Sequence, residues 1–166
     1  MKKIEKLAFL AMTAAIAIVL SFVESQIPAF FTIPGVKLGL ANVAIIFALY
    51  KMGFFEAVTV SLIRIFTVFL IFGGVMPLLY SLAGAVLSLA VMYVLKRFTP
   101  LSEIGVSVSG GVAHNIAQVT VAAFLFDSNA LYLYLPVLLL SGTVAGVLIG
   151  IASAVLVKRV NIKKYG

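Results

Sequence analysis

Long apolar segments follow one another along the chain, and short polar or glycine-containing stretches separate them. The segments cover about residues 7–23, 36–52, 54–72, 75–95, 104–126 and 131–157. A helix needs roughly 17–25 apolar residues to cross a hydrocarbon core of about 30 Å. We therefore predict six transmembrane helices. The second is the shortest, because Lys37 and Lys51 lie close to its two ends.

The predicted connections are marked by residues that interrupt helices. Met52-Gly53 follows the second segment, and Gly73-Gly74 follows the third. The connection over residues 24–36 is the longest. It is long enough to fold over a pocket, and its Phe30, Phe31 and Ile33 are apolar, so we expect it to pack onto the helices.

The composition supports a membrane protein. Of the 166 residues, 64% are hydrophobic and 10% are charged, whereas a soluble domain has roughly 45–50% and about 25%. A soluble fold of this size could not bury the excess apolar surface. We predict an all-α integral membrane protein in which residues 1–166 form a single six-helix bundle.

The net charge of +7 reports topology rather than nucleic-acid binding. Ten of the twelve basic residues flank the apolar segments, which leaves Lys37 and Arg64. With both termini in the cytoplasm, those ten lie inside and Lys37 lies outside, as the positive-inside rule requires. Residues 1–23 also resemble a signal peptide. Cleavage would break this charge pattern, so we expect them to be retained as a span.

Polar residues at membrane depth are costly and therefore informative. Arg64 lies about ten residues into the third segment, and His114 lies about ten residues into the fifth. Each is therefore about 15 Å from the start of its segment, near the middle of the membrane. From this depth outward we predict a polar cavity that binds a small molecule. Its candidate substrate-binding residues are Glu24, Lys37, Asn42, Arg64, Tyr80, His114, Asn115, Gln118 and Tyr134.

Each candidate also has a structural alternative. Arg64 can pair with helix carbonyls or with Glu24 or Glu56. The polar side chains of the fifth segment can form interhelical hydrogen bonds, which contribute about 1 kcal/mol or less per pair. The tyrosines are typical of an interfacial belt.

Small residues form two stripes at helical spacing. Gly142, Gly146 and Gly150 make two overlapping GxxxG units, and Ala11 and Ala15 make an AxxxA unit. Such faces let helix backbones approach closely. We expect the glycines to pack inside the bundle, whereas the alanines can pack either inside it or against another protein.

Several catalytic motifs do not occur in the sequence. There is no G-x-x-x-x-G-K-[ST] phosphate-binding loop, no G-x-S-x-G elbow, no cysteine and no aspartate-rich motif. We therefore expect no enzymatic activity and no metal or other cofactor. An intramembrane enzyme that uses His114 and Glu24 is the weaker alternative.

The segments ESQIP at residues 24–28 and PGVKLGLAN at residues 34–42 resemble a bacterial family labelled heptaprenyl diphosphate synthase component I, or Gx transporter. That family is similar to the S components of energy-coupling factor (ECF) transporters. These are six-helix vitamin carriers of the bacterial cytoplasmic membrane.

The resemblance implies a substrate-binding carrier with partners on separate chains. A transmembrane coupling subunit would pack on Ala11 and Ala15, and ATPase chains would hydrolyse ATP. The expected substrate is a flavin first, and a quinone or isoprenoid precursor second. The alternative is a non-catalytic membrane subunit of a prenyl diphosphate synthase or of a respiratory complex.

Overall fold

The computed structural model describes residues 3–27 and 38–161, and their regular structure is entirely helical. The fold class predicted as all-α is confirmed. The α-helices are α1 (Lys3–Gln26), α2 (Asn42–Lys51), α3 (Phe54–Phe72), α4 (Val75–Phe98), α5 (Glu103–Leu125) and α6 (Leu135–Arg159). A 3₁₀ helix, Asn129–Tyr134, leads directly into α6.

Five of these helices, all except α2, are long and apolar enough to cross a membrane. They have 19 to 25 residues, or about 28 to 38 Å, against a hydrocarbon core of about 30 Å. Large apolar side chains such as Leu70, Val86, Phe124 and Leu140 are exposed on their outer faces. So much exposed apolar surface is stable only in lipid. The chain is therefore a multi-pass membrane protein.

The predicted second span differs from the structure. Between residues 38 and 52 the chain forms a helix of ten residues, which is about 15 Å long and covers about half of the hydrocarbon core. A turn precedes it, in which Gly39 has a φ of 72° and its carbonyl accepts the N–H of Asn42 at 2.8 Å. Because of this turn, α2 begins only at Asn42, whereas the sequence predicted a span that begins at residue 36.

Helix α2 lies inside the protein and forms the centre of its apolar core. Ala44, Ile45, Ile46, Ala48 and Leu49 of α2 are all buried. Side chains of the other five helices complete the core, among them Ala17, Val60, Met92, Val106 and Ile149. A short helix at membrane depth is tolerated because protein, and not lipid, surrounds the ends of its backbone.

The basic residues gather at one end of the bundle. Lys6 forms an ion pair with Glu56, which joins the starts of α1 and α3. Lys96 Nζ donates a hydrogen bond to the carbonyl of Leu49 at 2.5 Å, which joins the ends of α4 and α2. We call this the basic end; it carries Lys3, Lys6, Lys51, Lys96, Arg97, Lys158 and Arg159. Its cytoplasmic location stays a prediction.

The glycines of α6 pack against α5, as predicted. A Cβ atom added to Gly146 would lie 2.6 Å from the Cα of Val108, and one added to Gly150 would lie 2.7 Å from the Cα of Ile104. Real Cβ atoms do not approach a backbone so closely, so glycine is required at these positions. The prediction of internal packing is confirmed for this stripe.

Unlike the glycines of α6, the alanines of α1 lie on the outer surface of the bundle. Ala11 and Ala15 are both exposed, together with Ala8 one turn earlier. No helix of the described part of the chain covers them.

The predicted connection over residues 24–36 begins later than expected, because α1 continues to Gln26. Outside the described residues lie Phe30, Phe31, Ile33 and Lys37.

Candidate binding cavity

A cavity of about 80 Å³ lies beside the N-terminus of α2, and all six helices contribute to its wall. Six of the predicted site residues line it: Glu24, Asn42, Arg64, His114, Asn115 and Gln118. Serines and glycines of α4, α5 and α6 complete the wall, including Ser81, Ser88, Ser107, Gly111 and Gly146. The fold thus brings polar residues together that are distant in the sequence.

The charged, amide and imidazole side chains of the cavity wall lie from mid-depth in the bundle outward. Counted from the basic end, Asn42, Arg64 and Ser88 lie about nine or ten residues along their helices, and His114 lies about eleven. At 1.5 Å per residue, all four are about 14 to 16 Å from that end. Met92 of the apolar core also lines the cavity, so the core lies nearer the basic end and forms the floor of the cavity.

Glu24 closes the cavity beside the turn that precedes α2. Its Oε1 accepts the backbone N–H of Gly39 at 2.6 Å, and its Oε2 accepts that of Leu40 at 3.2 Å. A carboxylate is favourable at this point because the N-terminus of a helix carries a partial positive charge. Glu24 therefore joins α1 to α2 and holds the turn in place.

Arg64 lines the cavity from α3. Its Nε atom is buried and has no hydrogen-bond partner. Glu56, one of the partners considered from the sequence, is instead paired with Lys6. Glu24 interacts with Arg64 electrostatically, but the two form no ion pair within 4.0 Å in the described part of the chain.

Two neighbouring amides of α5 have different roles. Asn115 Nδ2 donates to the carbonyl of Leu138 at 2.5 Å, which fastens α5 to α6, so the alternative of interhelical hydrogen bonding applies to it. Gln118 lies one turn away from His114 on the same face. It lines the cavity, and its amide makes no side-chain hydrogen bond within the described residues. Gln118 is therefore available to a ligand.

His114 packs directly on α4. A Cβ atom added to Gly84 would lie 2.5 to 2.7 Å from the Cε1, Nδ1 and Nε2 atoms of the imidazole ring. The missing side chain at Gly84 thus makes room for the ring at the cavity wall. Because the ring contacts a backbone rather than a flexible side chain, its position is well defined.

Three predicted residues do not join this wall. Tyr134 belongs to the 3₁₀ helix and is 49% exposed, as an interfacial tyrosine would be. Tyr80 is half-buried but does not line the cavity, because the neighbouring Ser81 occupies the inward-facing position of α4. Lys37 lies outside the described residues.

The polar side chains that α4 contributes to the cavity wall were not predicted from the sequence. Ser81, Gly84 and Ser88 follow one another at three- and four-residue spacing, which places them on one face of a helix. Ser107, Gly111, His114 and Gln118 of α5 have the same spacing of small and polar residues. Applied to α4, this signal would have found the serines as well.

A second, smaller cavity of about 10 Å³ adjoins the first and is lined by Asn42, Ser61, Arg64, Ser88 and His114. It extends the polar region toward α3, where the hydroxyl of Ser61 is buried without a hydrogen-bond partner. In the described part of the chain, no group of His, Asp or Glu side chains is arranged to hold a metal ion.

The lining is rich in hydrogen-bond donors, from one guanidinium, three amides and several hydroxyls. Such a wall can hold a polar group inside an otherwise apolar bundle.

No curated protein and no solved structure matches the chain. The family model described as heptaprenyl diphosphate synthase component I matches residues 13–156. This match covers most of the chain, which therefore belongs to the heptaprenyl diphosphate synthase component I family.

Proposed function

We propose that this protein is the membrane-embedded, substrate-binding subunit of a transporter, similar to the S components of ECF systems. The observation that supports this is the mid-depth cavity, to which all six helices contribute and which polar residues line. Intramembrane polar groups that face a common cavity typically mark a substrate path. The proposed location is the bacterial cytoplasmic membrane, with both termini in the cytoplasm.

The size of the cavity limits how a substrate is held. Sites that enclose a drug-sized ligand have roughly 300–1,000 Å³, whereas this cavity has about 80 Å³. A flavin, or an isoprenoid of similar size, therefore fits with only a polar group inside the cavity. The remainder of such a ligand lies beyond it, or the helices move apart when it binds.

The proposed partners follow from the exposed face of α1. Ala11 and Ala15 are exposed and would pack closely against a helix of a transmembrane coupling subunit. ATP hydrolysis would take place on separate ATPase chains, because this sequence has no phosphate-binding loop. In this proposal the chain itself catalyses no reaction.

The second candidate function is a non-catalytic membrane subunit of a prenyl diphosphate synthase. The observation that favours it is the match to a family described as heptaprenyl diphosphate synthase component I, one component of such an enzyme. In that case the partner is a soluble synthase chain, and the cavity holds part of an isoprenoid diphosphate or of a lipid.

Native mass spectrometry of the complex, purified from membranes with its lipids, distinguishes the two candidates. A transporter subunit is expected to carry a bound small molecule and to co-purify with ATPase chains. A synthase subunit is expected to co-purify in stoichiometric amounts with a synthase whose activity depends on it.

The binding cavity is tested by Asn42→Ala and Gln118→Ala, both expected to weaken binding of the co-purified molecule by about tenfold. Thr120→Ala is the matched control on α5, because Thr120 is exposed and its hydroxyl bonds only within its own helix. If neither cavity variant changes binding, the cavity is not the site.

A further inference from the structure

The guanidinium of Arg64 places a permanent positive charge at the middle of the bundle. Arginine stays protonated in proteins, and Arg64 lines both cavities from α3. A buried charge is costly unless it is paired and hydrogen-bonded. The Nε atom of Arg64 is buried and has no hydrogen-bond partner, so this cost is not offset by a direct contact in the described part of the chain.

The acidic groups that could pair with Arg64 are already engaged elsewhere. Glu24 interacts with Arg64 electrostatically, yet both of its oxygens accept backbone N–H groups, from Gly39 and Leu40. Glu56 is paired with Lys6. The described part of the chain thus supplies a negative charge that lowers the electrostatic cost, but no carboxylate that forms an ion pair with the guanidinium.

The surroundings of Arg64 favour an anion. The amides of Asn42 and Gln118 line the same cavity and make no side-chain hydrogen bond within the described residues. Helix α2 also begins here, and its N-terminus carries a partial positive charge. A guanidinium donates two parallel hydrogen bonds to a phosphate or carboxylate group, and such charge-assisted bonds are the strong ones.

We propose that this cavity binds the oxyanion group of the substrate, a phosphate, diphosphate or carboxylate. Arg64 is its principal ligand, and the amides of Asn42 and Gln118 are additional donors. The apolar part of the substrate lies outside the cavity, whose volume of about 80 Å³ admits only such a group. This inference rests on the proposed binding function and specifies the class of molecule that is bound.

The test uses ligands that share a tail and differ in the head group. Geraniol, geranic acid and geranyl diphosphate carry a neutral, a carboxylate and a diphosphate group on the same isoprenoid chain, and riboflavin and flavin mononucleotide differ by one phosphate. Binding to the purified full-length protein is measured by calorimetry in detergent. In at least one series the anionic member is expected to bind about tenfold or more tightly than the neutral member.

Arg64→Gln is expected to remove this preference. The matched control is Arg97→Gln, which removes the same charge from an exposed position at the basic end and is expected to keep the preference. If Arg64→Gln fails to fold, competition on the unaltered protein replaces it. Inorganic pyrophosphate is then expected to displace the anionic ligand, and sodium chloride at the same ionic strength is not.

The outcomes separate this inference from the binding function itself. Equal binding of neutral and anionic members, weakened by Asn42→Ala, would overturn the oxyanion site and leave the binding function intact. Equal loss in Arg97→Gln and Arg64→Gln would also overturn it, because the attraction would then come from the surface charge. If no member of either series binds and pyrophosphate has no effect, the oxyanion site is rejected, and the co-purified molecule alone decides the binding function.

Discussion

Helices α4, α5 and α6 contain seven glycines, whereas α1, α2 and α3 contain none. In the glycine-containing half, backbones lie against one another, as Gly111 does against Gly142. In the other half, buried alanines such as Ala17 and Ala48 make the close contacts, and side-chain bonds such as those of Glu24 join the helices.

This difference has a physical consequence. Backbone packing leaves little space for adjustment, because each contact lacks a side chain that could move. Contacts made through single polar side chains can be exchanged for others at a modest cost in free energy. Arg64 and Asn42 of the cavity wall come from α1–α3, and His114 and Gln118 come from the glycine-containing half. The cavity therefore lies between a half whose backbones pack directly on one another and a half that buried side chains and the hydrogen bonds of Glu24 hold together.

The largest effect is expected for Gly146→Val in the glycine-containing half. Its Cβ would lie 2.6 Å from the Cα of Val108, so α6 would have to move away from α5. Overpacking of this kind costs about 1–3 kcal/mol or more of the free energy of unfolding. The measurement is thermal unfolding of the purified protein. Ala152→Val, at an exposed position of the same helix, is expected to change little; equal losses would contradict the packing described here.

A smaller effect is expected for Glu24→Gln in the other half. Glutamine keeps one acceptor oxygen but loses the charge, so its bonds to Gly39 and Leu40 weaken by about 1–2 kcal/mol in total. Hydrogen exchange of the amides at residues 39 and 40 is expected to accelerate. Asp127→Asn makes the same neutralisation at an exposed turn and serves as the control. Unchanged exchange at these two amides would show that Glu24 does not hold the turn.

Gly84→Ala tests the contact between α4 and α5 at the cavity wall, within the glycine-containing half. The new Cβ would overlap the ring of His114, which must rotate or shift into the cavity. We expect a loss of stability of about 1 kcal/mol and a clear loss of ligand binding. His114→Ala in the same chain is expected to restore much of the stability, because it removes the overlapping ring. Additive losses in the double variant would exclude this contact.

The smallest effect is expected for Asn115→Ala. It removes the hydrogen bond to the carbonyl of Leu138, and interhelical bonds of this type contribute about 0.6 kcal/mol on average. Thermal unfolding checks this value, with Thr143→Ala as the control, since Thr143 is exposed and bonds only within α6. A loss comparable with that of Gly146→Val would mean that the glycine half depends on polar bonds too.

Most of the helices and the turns between them could be predicted from the sequence. Apolar segments of sufficient length predict helices wherever lipid is the solvent, and the predicted turn at Gly73-Gly74 ends α3. Both of these glycines have positive φ angles of 68° and 93°. The intramembrane positions of Arg64, His114 and Gln118 predicted a shared cavity, because each polar group at this depth needs a polar or aqueous neighbour.

Two features were decided only by the tertiary structure. The ten-residue length of α2 depends on the turn at Gly39, which Glu24 stabilises from another helix. Asn115 bonds α6 while Gln118 lines the cavity, although both are amides on one helix. Hydropathy along a chain reports how much apolar surface each segment has. The partner that each polar group finds depends on which helices are adjacent, and spacing along a single helix carries no record of that.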